Sequence, residues 1–102
     1  MEKIKTYSAV TDALGNTKDG LTKMFIGYDD VDEEGNILGQ QNGKILVATE
    51  PGYLFGVEEH IPKNYRKLLV RDGDLYIKDG ETLDVEVKEQ TFQDGIYEIM
   101  NQ

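Results

Sequence analysis

The chain has 102 residues, no cysteine and a formal net charge of −9 from 20 acidic and 11 basic residues. This length fits one domain with a modest core, and without cysteine the chain can form no disulfide, thiolate nucleophile or Cys-ligated zinc site. The charge opposes non-specific binding to DNA, RNA or anionic membranes. No apolar run approaches the roughly 18 residues of a membrane-spanning helix, and the first residues lack the apolar centre of a signal peptide.

The first part of the chain contains two predicted strands separated by a loop. Lys3–Val10 alternates apolar and polar residues, which predicts a strand. Thr11–Gly20 carries two glycines, an asparagine and two aspartates, which favour a loop over a long helix. Leu21–Tyr28 is apolar and rich in β-forming residues, and it predicts a buried strand.

An acidic turn follows at Asp29–Asn36, with five carboxylates in six residues. Its spacing is similar to that of a calcium-binding loop, in which alternating side chains supply oxygen ligands and a glycine occupies the sharp-turn position. The candidate calcium ligands are Asp30, Asp32 and Glu34.

Three features count against calcium at this turn. The twelfth position of the motif is Gln41, a neutral residue where a bidentate glutamate is expected, the fifth position is a glutamate with a long arm, and the flanking segments read as strands rather than helices. The alternative is an exposed hairpin turn in which Gly35 and Asn36 adopt the unusual backbone angles. We therefore expect no metal and no cofactor.

The middle of the chain predicts a second pair of strands, Ile37–Gln40 and Lys44–Thr49, around Asn42-Gly43. Asn-Gly is typical of type I′ hairpin turns. Lys44–Thr49 is apolar on both faces, which indicates a central strand. Glu50–Gly56 then opens with a Pro-Gly turn and continues with two aromatic residues that we expect at a protein interface, Tyr53 and Phe55.

The segment Lys67–Val87 has the clearest local pattern, because two Asp-Gly pairs separate three short apolar runs. This predicts a three-stranded antiparallel meander, preceded by a short helical turn that begins at Pro62. A two-residue turn at Asp72-Gly73 and a three-residue turn at Lys78–Gly80 place the apolar residues on one face, namely Leu68, Val70, Leu75, Ile77, Leu83, Val85 and Val87.

The final segment, Thr91–Gln102, has a further Asp-Gly pair and an apolar end. The sequence is compatible with either an edge strand or a short docking segment here. Its candidate interface residues are Tyr97 and Met100.

No catalytic constellation emerges from the sequence. Ser8 and His60 are the only serine and the only histidine, and Ser8 lies in a predicted strand without the glycine-flanked turn that exposes a nucleophile. Glycines never occur as a phosphate-binding loop. We expect a protein that is not an enzyme, with a mainly β fold, either a small antiparallel sandwich or an open barrel, and at most one short helix.

The resemblance to a known family covers about residues 60–87, which begin HIPKNYRKLLVRDGDLYIKDGETLDV. This stretch contains a proline, a short polar turn, a tyrosine and then two predicted strands joined by Asp-Gly. This segment resembles small tail, baseplate and fibre-associated virion proteins of bacteriophages that infect Gram-positive hosts. The resemblance implies a structural protein of the virion, assembled in the bacterial host cytoplasm, that packs against copies of itself or against other virion proteins. It carries over no functional residue.

A second hypothesis comes from the charge. A small acidic protein can inhibit or regulate a basic host protein by imitating nucleic-acid phosphates. The carboxylates available for this are those of Asp29–Glu34 together with Asp84 and Glu86.

Overall fold

A computed structural model of the chain describes residues 1–11, 14 and 18–85. These residues form two antiparallel three-stranded sheets and two 3-10 segments, Tyr28–Asp30 and Pro62–Lys67, which confirms the mainly β class. The described part contains no helix of the length and apolarity needed to cross a membrane. The strands are β1 (Glu2–Lys3), β2 (Leu21–Gly27), β3 (Gln41–Gly43), β4 (Gly52–Glu58), β5 (Leu68–Arg71) and β6 (Asp74–Ile77).

The first sheet, in the order β1-β6-β5, contains the predicted hairpin at Asp72-Gly73. Asp72 (φ 54°) and Gly73 (φ 82°) both have the positive φ that a type I′ turn requires. Arg71 lies opposite Asp74 and Val70 opposite Leu75, as the apolar pattern predicted. The predicted turn of helix at Pro62 is also confirmed.

The second sheet, in the order β3-β2-β4, is organised by the predicted buried strand β2. Its inner face contributes Met24, Ile26, Phe55 and Val57 to the core. The inner face of the first sheet meets these residues with Leu68, Val70 and Leu75, so that one core lies between the two sheets, completed by Ile4, Ile37 and Ile61.

The predicted third strand of the meander is wrong. Gly80 does adopt a positive φ of 81°, but the Glu81 N–H then donates to the Lys78 carbonyl (3.1 Å), and Glu81–Val85 form no ladder with β6. The free edge of β6 pairs instead with β1, where Lys3 lies opposite Tyr76. Leu83 still packs against the core, and Val87 lies outside the described residues.

Three predictions in the middle of the chain are also wrong. Asn42-Gly43 is not a hairpin turn, because both residues belong to β3 and pair with β2, and Gly43 lacks a positive φ. Lys44–Thr49 is not a central strand: its backbone forms a turn and then an irregular segment, and Val47 is 73% exposed. Within Ile37–Gln40, only Ile37 forms an isolated bridge, with Val31, and the segment is not a strand.

The predicted first strand, Lys3–Val10, is much shorter than expected. Only Glu2–Lys3 form a strand, and the chain then leaves the first sheet to reach the second, where Tyr7 bridges Gly56 of β4. Val10 is buried, with its Cγ1 3.0 Å from the position that a Cβ on Gly56 would occupy. The alternation in this segment therefore reflects contacts with two sheets in succession.

Candidate protein-binding surface

The connection between β3 and β4, residues 44–51, crosses the outer face of the second sheet. Both strands are antiparallel to β2 and flank it, so the connecting chain must return along the sheet. Two contacts place it over the face opposite the core. The Lys23 Nζ donates to the Leu46 carbonyl (3.1 Å), and the Glu50 Oε1 lies 3.2 Å from the position that a Cβ on Gly27 would occupy. Phe25, which lies between Lys23 and Gly27 on this face, is consequently buried.

This crossover exposes apolar side chains. Ile45 is 89% exposed and Val47 is 73% exposed, and Leu54 projects from β4 on the same outer face with half of its surface exposed. Isolated exposed apolar residues are ordinary, but several on one face of a small domain indicate a surface that a partner can cover. We call Ile45, Val47 and Leu54 the outer-face cluster.

A groove of about 360 Å³ borders this cluster at Leu54. Its walls are the N-terminal segment Tyr7–Thr11 on one side and Leu54, Gly56 and Lys23 on the other. Among the described residues that line the groove, Lys23 is the one with a charged side chain. The groove is therefore a locally basic feature of an acidic chain.

The edge of β4 that faces the groove is only partly paired. The Gly56 carbonyl accepts a hydrogen bond from the Tyr7 N–H (2.8 Å) on the side away from β2. Because the backbone groups of alternate residues in a strand point to the same edge, those of Leu54 also point outward. Within residues 1–11, 14 and 18–85, no backbone hydrogen bond reaches Leu54 from that side.

The acidic turn is held together by Asp32. Its Oδ1 accepts hydrogen bonds from the N–H groups of Glu34 (2.9 Å) and Asn36 (2.8 Å), and its Oδ2 accepts one from the Asn36 Nδ2 (2.9 Å). The pKa of Asp32 is lowered below its ordinary value of 3.8, chiefly by the side-chain hydrogen bond from Asn36 and further by the backbone N–H groups, against a partial desolvation. Gly35 supplies the positive φ (94°), whereas Asn36 does not.

The other candidate calcium ligands do not join Asp32 in one cluster. The Asp30 carboxylate lies beside Gly27 and Gly39: a Cβ built on these glycines would be 3.2 Å and 3.7 Å from its oxygens. Glu34 is exposed. In the described part of the chain, no three histidine or acidic side chains lie together in a way that could hold a metal ion. The expectation that this turn holds no metal stays a prediction.

The aromatic residues predicted for the interface have different environments. Tyr53 is half-buried, with its ring 4.9 Å from that of Tyr28 and 6.2 Å from that of Phe55. Phe55 itself is buried in the core. Tyr97 and Met100 lie outside the described residues.

Ser8 and His60 occupy different surroundings. Ser8 is exposed and lines the groove beside β4. The His60 Nδ1 lies 3.7 Å from the Glu58 Oε2, and the His60 carbonyl accepts a hydrogen bond from the Asn64 side chain.

The structure describes one residue of the second acidic pair, Asp84 and Glu86. The Asp84 Oδ2 forms an ion pair with the Lys63 Nζ (3.6 Å), and Glu86 lies outside the described residues. Asp84 is thus partly neutralised, unlike the acidic turn.

The described residues define a mainly β protein in which two small sheets enclose one core and a short crossover exposes apolar side chains. No family model, no curated protein and no solved structure matches the chain.

Sequence reasoning missed the outer-face cluster. Ile45 and Val47 sit in a run that is apolar on both sides, which reads equally well as a buried strand. The available signal was the length of the segment between β3 and the Pro-Gly turn. β3 and β4 flank β2 and run parallel to each other, so the chain that joins them must cross one face of the sheet.

Proposed function

We propose that this protein is a non-enzymatic structural subunit, a bacteriophage virion component that packs against copies of itself. The observation that carries the proposal is the outer-face cluster, where Ile45 and Val47 are 89% and 73% exposed. The resemblance of residues 60–87 to small virion proteins supports the viral assignment. The groove beside β4 and the edge of that strand give the same face further means of contact.

The energetics favour association through this face. Full burial of an isoleucine or valine side chain contributes about 1.5–3 kcal/mol. Because Ile45 and Val47 contribute little to the core when they are exposed, covering them with a second subunit recovers burial that folding leaves unused. Association of this kind resists salt, since it does not depend on charge attraction.

The test is size-exclusion chromatography with light scattering over a range of protein concentrations, at low and high salt. The wild-type protein is expected to form a defined oligomer that persists at high salt. A double variant, Ile45→Ser with Val47→Ser, is expected to weaken the association about a hundredfold or more. A wild-type protein that stays monomeric up to about 1 mM would contradict self-association.

A matched control comes from the segment that follows β6. Val85 is 67% exposed, and it follows Asp84, whose carbonyl accepts a hydrogen bond from the Asn64 side chain of the 3-10 segment Pro62–Lys67. The substitution Val85→Ser removes a similar exposed side chain that does not belong to the crossover. It is expected to leave the oligomer unchanged, and an equal loss in both variants would show that the effect is not specific to the outer-face cluster.

A second candidate function rests on the acidic turn. Asp29, Asp32, Glu33 and Glu34 are exposed and take part in no ion pair among the described residues. We propose as the alternative that this turn binds a basic host protein in place of nucleic-acid phosphates. Affinity for such a target is expected to fall steeply as salt increases, because charges are screened over about 8–10 Å. Binding that is unchanged between about 0.05 and 0.5 M salt would exclude it.

A further inference from the structure

We infer that the partner of this surface adds a strand to the outer edge of β4, in the groove between Leu54 and Tyr7–Thr11. The inference rests on the proposed function and specifies how the partner is bound. The occupant is an extended peptide segment of a partner subunit, with apolar side chains and a carboxylate.

The backbone of Leu54 defines the chemistry of the occupant. Its N–H and C=O point away from β2, and no backbone group within the described residues bonds to them there. Adjacent to this point, Gly56 already accepts a bond from Tyr7, so the edge is able to pair with an extended chain. A ligand that satisfies a donor and an acceptor at strand spacing is another extended backbone.

The shape of the groove limits the length of the added strand. Tyr7 closes the edge at Gly56, so the part of the β4 edge that no described residue pairs with runs from Gly52 to Leu54. These three residues span about 10 Å at roughly 3.3 Å per residue, so a peptide of about five residues covers them with one residue beyond each end. The groove volume of about 360 Å³ accommodates the side chains of such a segment.

The lining of the groove sets the side-chain chemistry. Leu54 is half exposed and offers an apolar contact on the outer face. Lys23, on the same face, uses one donor on the Leu46 carbonyl (3.1 Å), and an ammonium group has three donors. A carboxylate on the incoming strand can therefore pair with Lys23 while its apolar neighbours pack on Leu54.

The experiment is a titration of the full-length ¹⁵N-labelled protein, at a concentration where light scattering finds it monomeric so that no second copy covers the β4 edge. The titrant is the capped peptide Ac-Val-Thr-Val-Glu-Val-NH2, and binding is followed by ¹H–¹⁵N correlation spectra. The Leu54 amide and the amides of Ser8–Thr11 are expected to shift. The same peptide N-methylated on every backbone nitrogen keeps the side chains but cannot pair as a strand. It is expected to bind at least about tenfold more weakly, the equivalent of one lost hydrogen bond.

Two substitutions at Leu54 separate backbone from side chain. Leu54→Pro removes the outward N–H without removing a ladder bond to β2, which is the strand position where proline is tolerated. We expect at least about tenfold weaker binding in Leu54→Pro and little change in Leu54→Val, which keeps the N–H. Lys23→Gln is expected to weaken binding of the glutamate peptide about threefold or more, without affecting a peptide with glutamine at that position.

Each outcome decides the inference. It is overturned if the N-methylated peptide binds as well as the parent, if the shifts map away from β4, or if no binding occurs up to about 5 mM peptide. If Leu54→Pro does not fold, the comparison of the two peptides on the wild-type protein gives the same decision. Loss of the oligomer in the Ile45/Val47 variant together with failure of the peptide test would leave the proposed function standing and remove strand addition.

Discussion

The side-chain amide of Asn64 pairs with the backbone of Asp84 as a neighbouring strand would. Its Nδ2 donates to the Asp84 carbonyl (2.8 Å), and its Oδ1 accepts from the Asp84 N–H (3.0 Å). The same Nδ2 also donates to the His60 carbonyl (2.7 Å), and Asn64 is buried. One buried side chain therefore holds the segment after β6 against the 3-10 segment Pro62–Lys67.

We expect Asn64→Ala to lower the free energy of unfolding by about 2–3 kcal/mol, because the substitution removes all three hydrogen bonds that this buried side chain makes to His60 and Asp84. Urea unfolding measures this loss, and hydrogen exchange should show faster exchange of the Asp84 amide. Asn42→Ala is the control, since the Asn42 side chain is exposed and bonds only to Gln40. Equal losses in the two variants would contradict the role of Asn64.

Of the glycines in the part of the chain that the structure describes, Gly35 is the one expected to tolerate alanine least. It has a positive φ of 94°, and a Cβ there would clash with the Val70 carbonyl oxygen, a backbone atom that cannot move aside. We expect Gly35→Ala to cost about 3 kcal/mol or more, from the left-handed backbone and the displaced contact together. Thermal or urea unfolding measures the cost.

Gly43 provides the matched control for this prediction. It has no positive φ, and nothing lies within 4 Å of its Cβ position. Gly43→Ala is therefore expected to leave stability unchanged or to raise it by up to about 1 kcal/mol, by restricting the unfolded chain. A Gly35→Ala protein as stable as Gly43→Ala would mean that the acidic turn does not pack against β5 as described.

The carboxylate of Asp32 is expected to titrate below its ordinary pKa of 3.8. Because the pKa is lower in the folded state, its contribution to stability is fully present above pH 3.8 and is lost as the pH falls through the folded-state pKa. NMR titration of the Asp32 carboxyl carbon measures this directly. Asn36→Ala removes the bond that contributes most to the shift and is expected to raise the pKa towards 3.8.

The stability of the Asn36→Ala protein gives an independent check. The difference from wild type should be present at neutral pH and should shrink as the pH falls below 3.8 and through the lowered pKa of the wild-type Asp32, beneath which Asp32 is protonated in both proteins. Asn42→Ala, remote from the acidic turn in sequence, is expected to leave the Asp32 titration unchanged. An Asp32 carboxyl that titrates at its ordinary value in the wild type would refute the hydrogen-bond network.

Local sequence predicted those elements whose partner is adjacent in the chain. The Asp72-Gly73 hairpin needs only its own turn and a shared apolar face, and its register came out as the pattern required. Leu21–Gly27 was recognisable as a buried strand because it is apolar on both faces, and the sheet on one side and the crossover on the other cover it.

Elements that compete for an edge could not be predicted in the same way. Residues 81–87 and Glu2–Lys3 are both able to pair with β6, and the apolar alternation of the former made it the stronger local candidate. The outcome depends on Asn64, which binds the backbone of Asp84 and draws this segment away from the sheet. A single buried amide that lies 20 residues before Asp84 gives no periodic signal in the sequence.

The candidate surface shows the same limit. The sequence selected Tyr53 and Phe55 for an interface but predicted no strand there. Which residues of β4 face a partner depends on the parity of that strand, and Phe55 is in the core. Ile45 and Val47 have the composition of a buried strand. Their exposure follows from the crossover, which exists because β3 and β4 lie on opposite sides of β2.

The Asp72-Gly73 turn gives a final prediction about backbone conformation. Asp72 has a φ of 54°, and it is the one residue other than glycine with a positive φ in the described part of the chain. Aspartate and asparagine tolerate this region because their short polar side chains bond locally, whereas alanine does not. We expect Asp72→Ala to lower the free energy of unfolding by about 1–2 kcal/mol and Asp72→Asn to leave it unchanged or slightly raised.

Asp19→Ala is the control for this prediction. Asp19 also precedes a glycine with a positive φ, but the φ of Asp19 itself is not positive. Its substitution is expected to change the free energy of unfolding by less than about 0.5 kcal/mol. Urea unfolding of the three variants distinguishes them. Equal losses in Asp72→Ala and Asp19→Ala would show that the hairpin does not depend on the left-handed conformation at position 72.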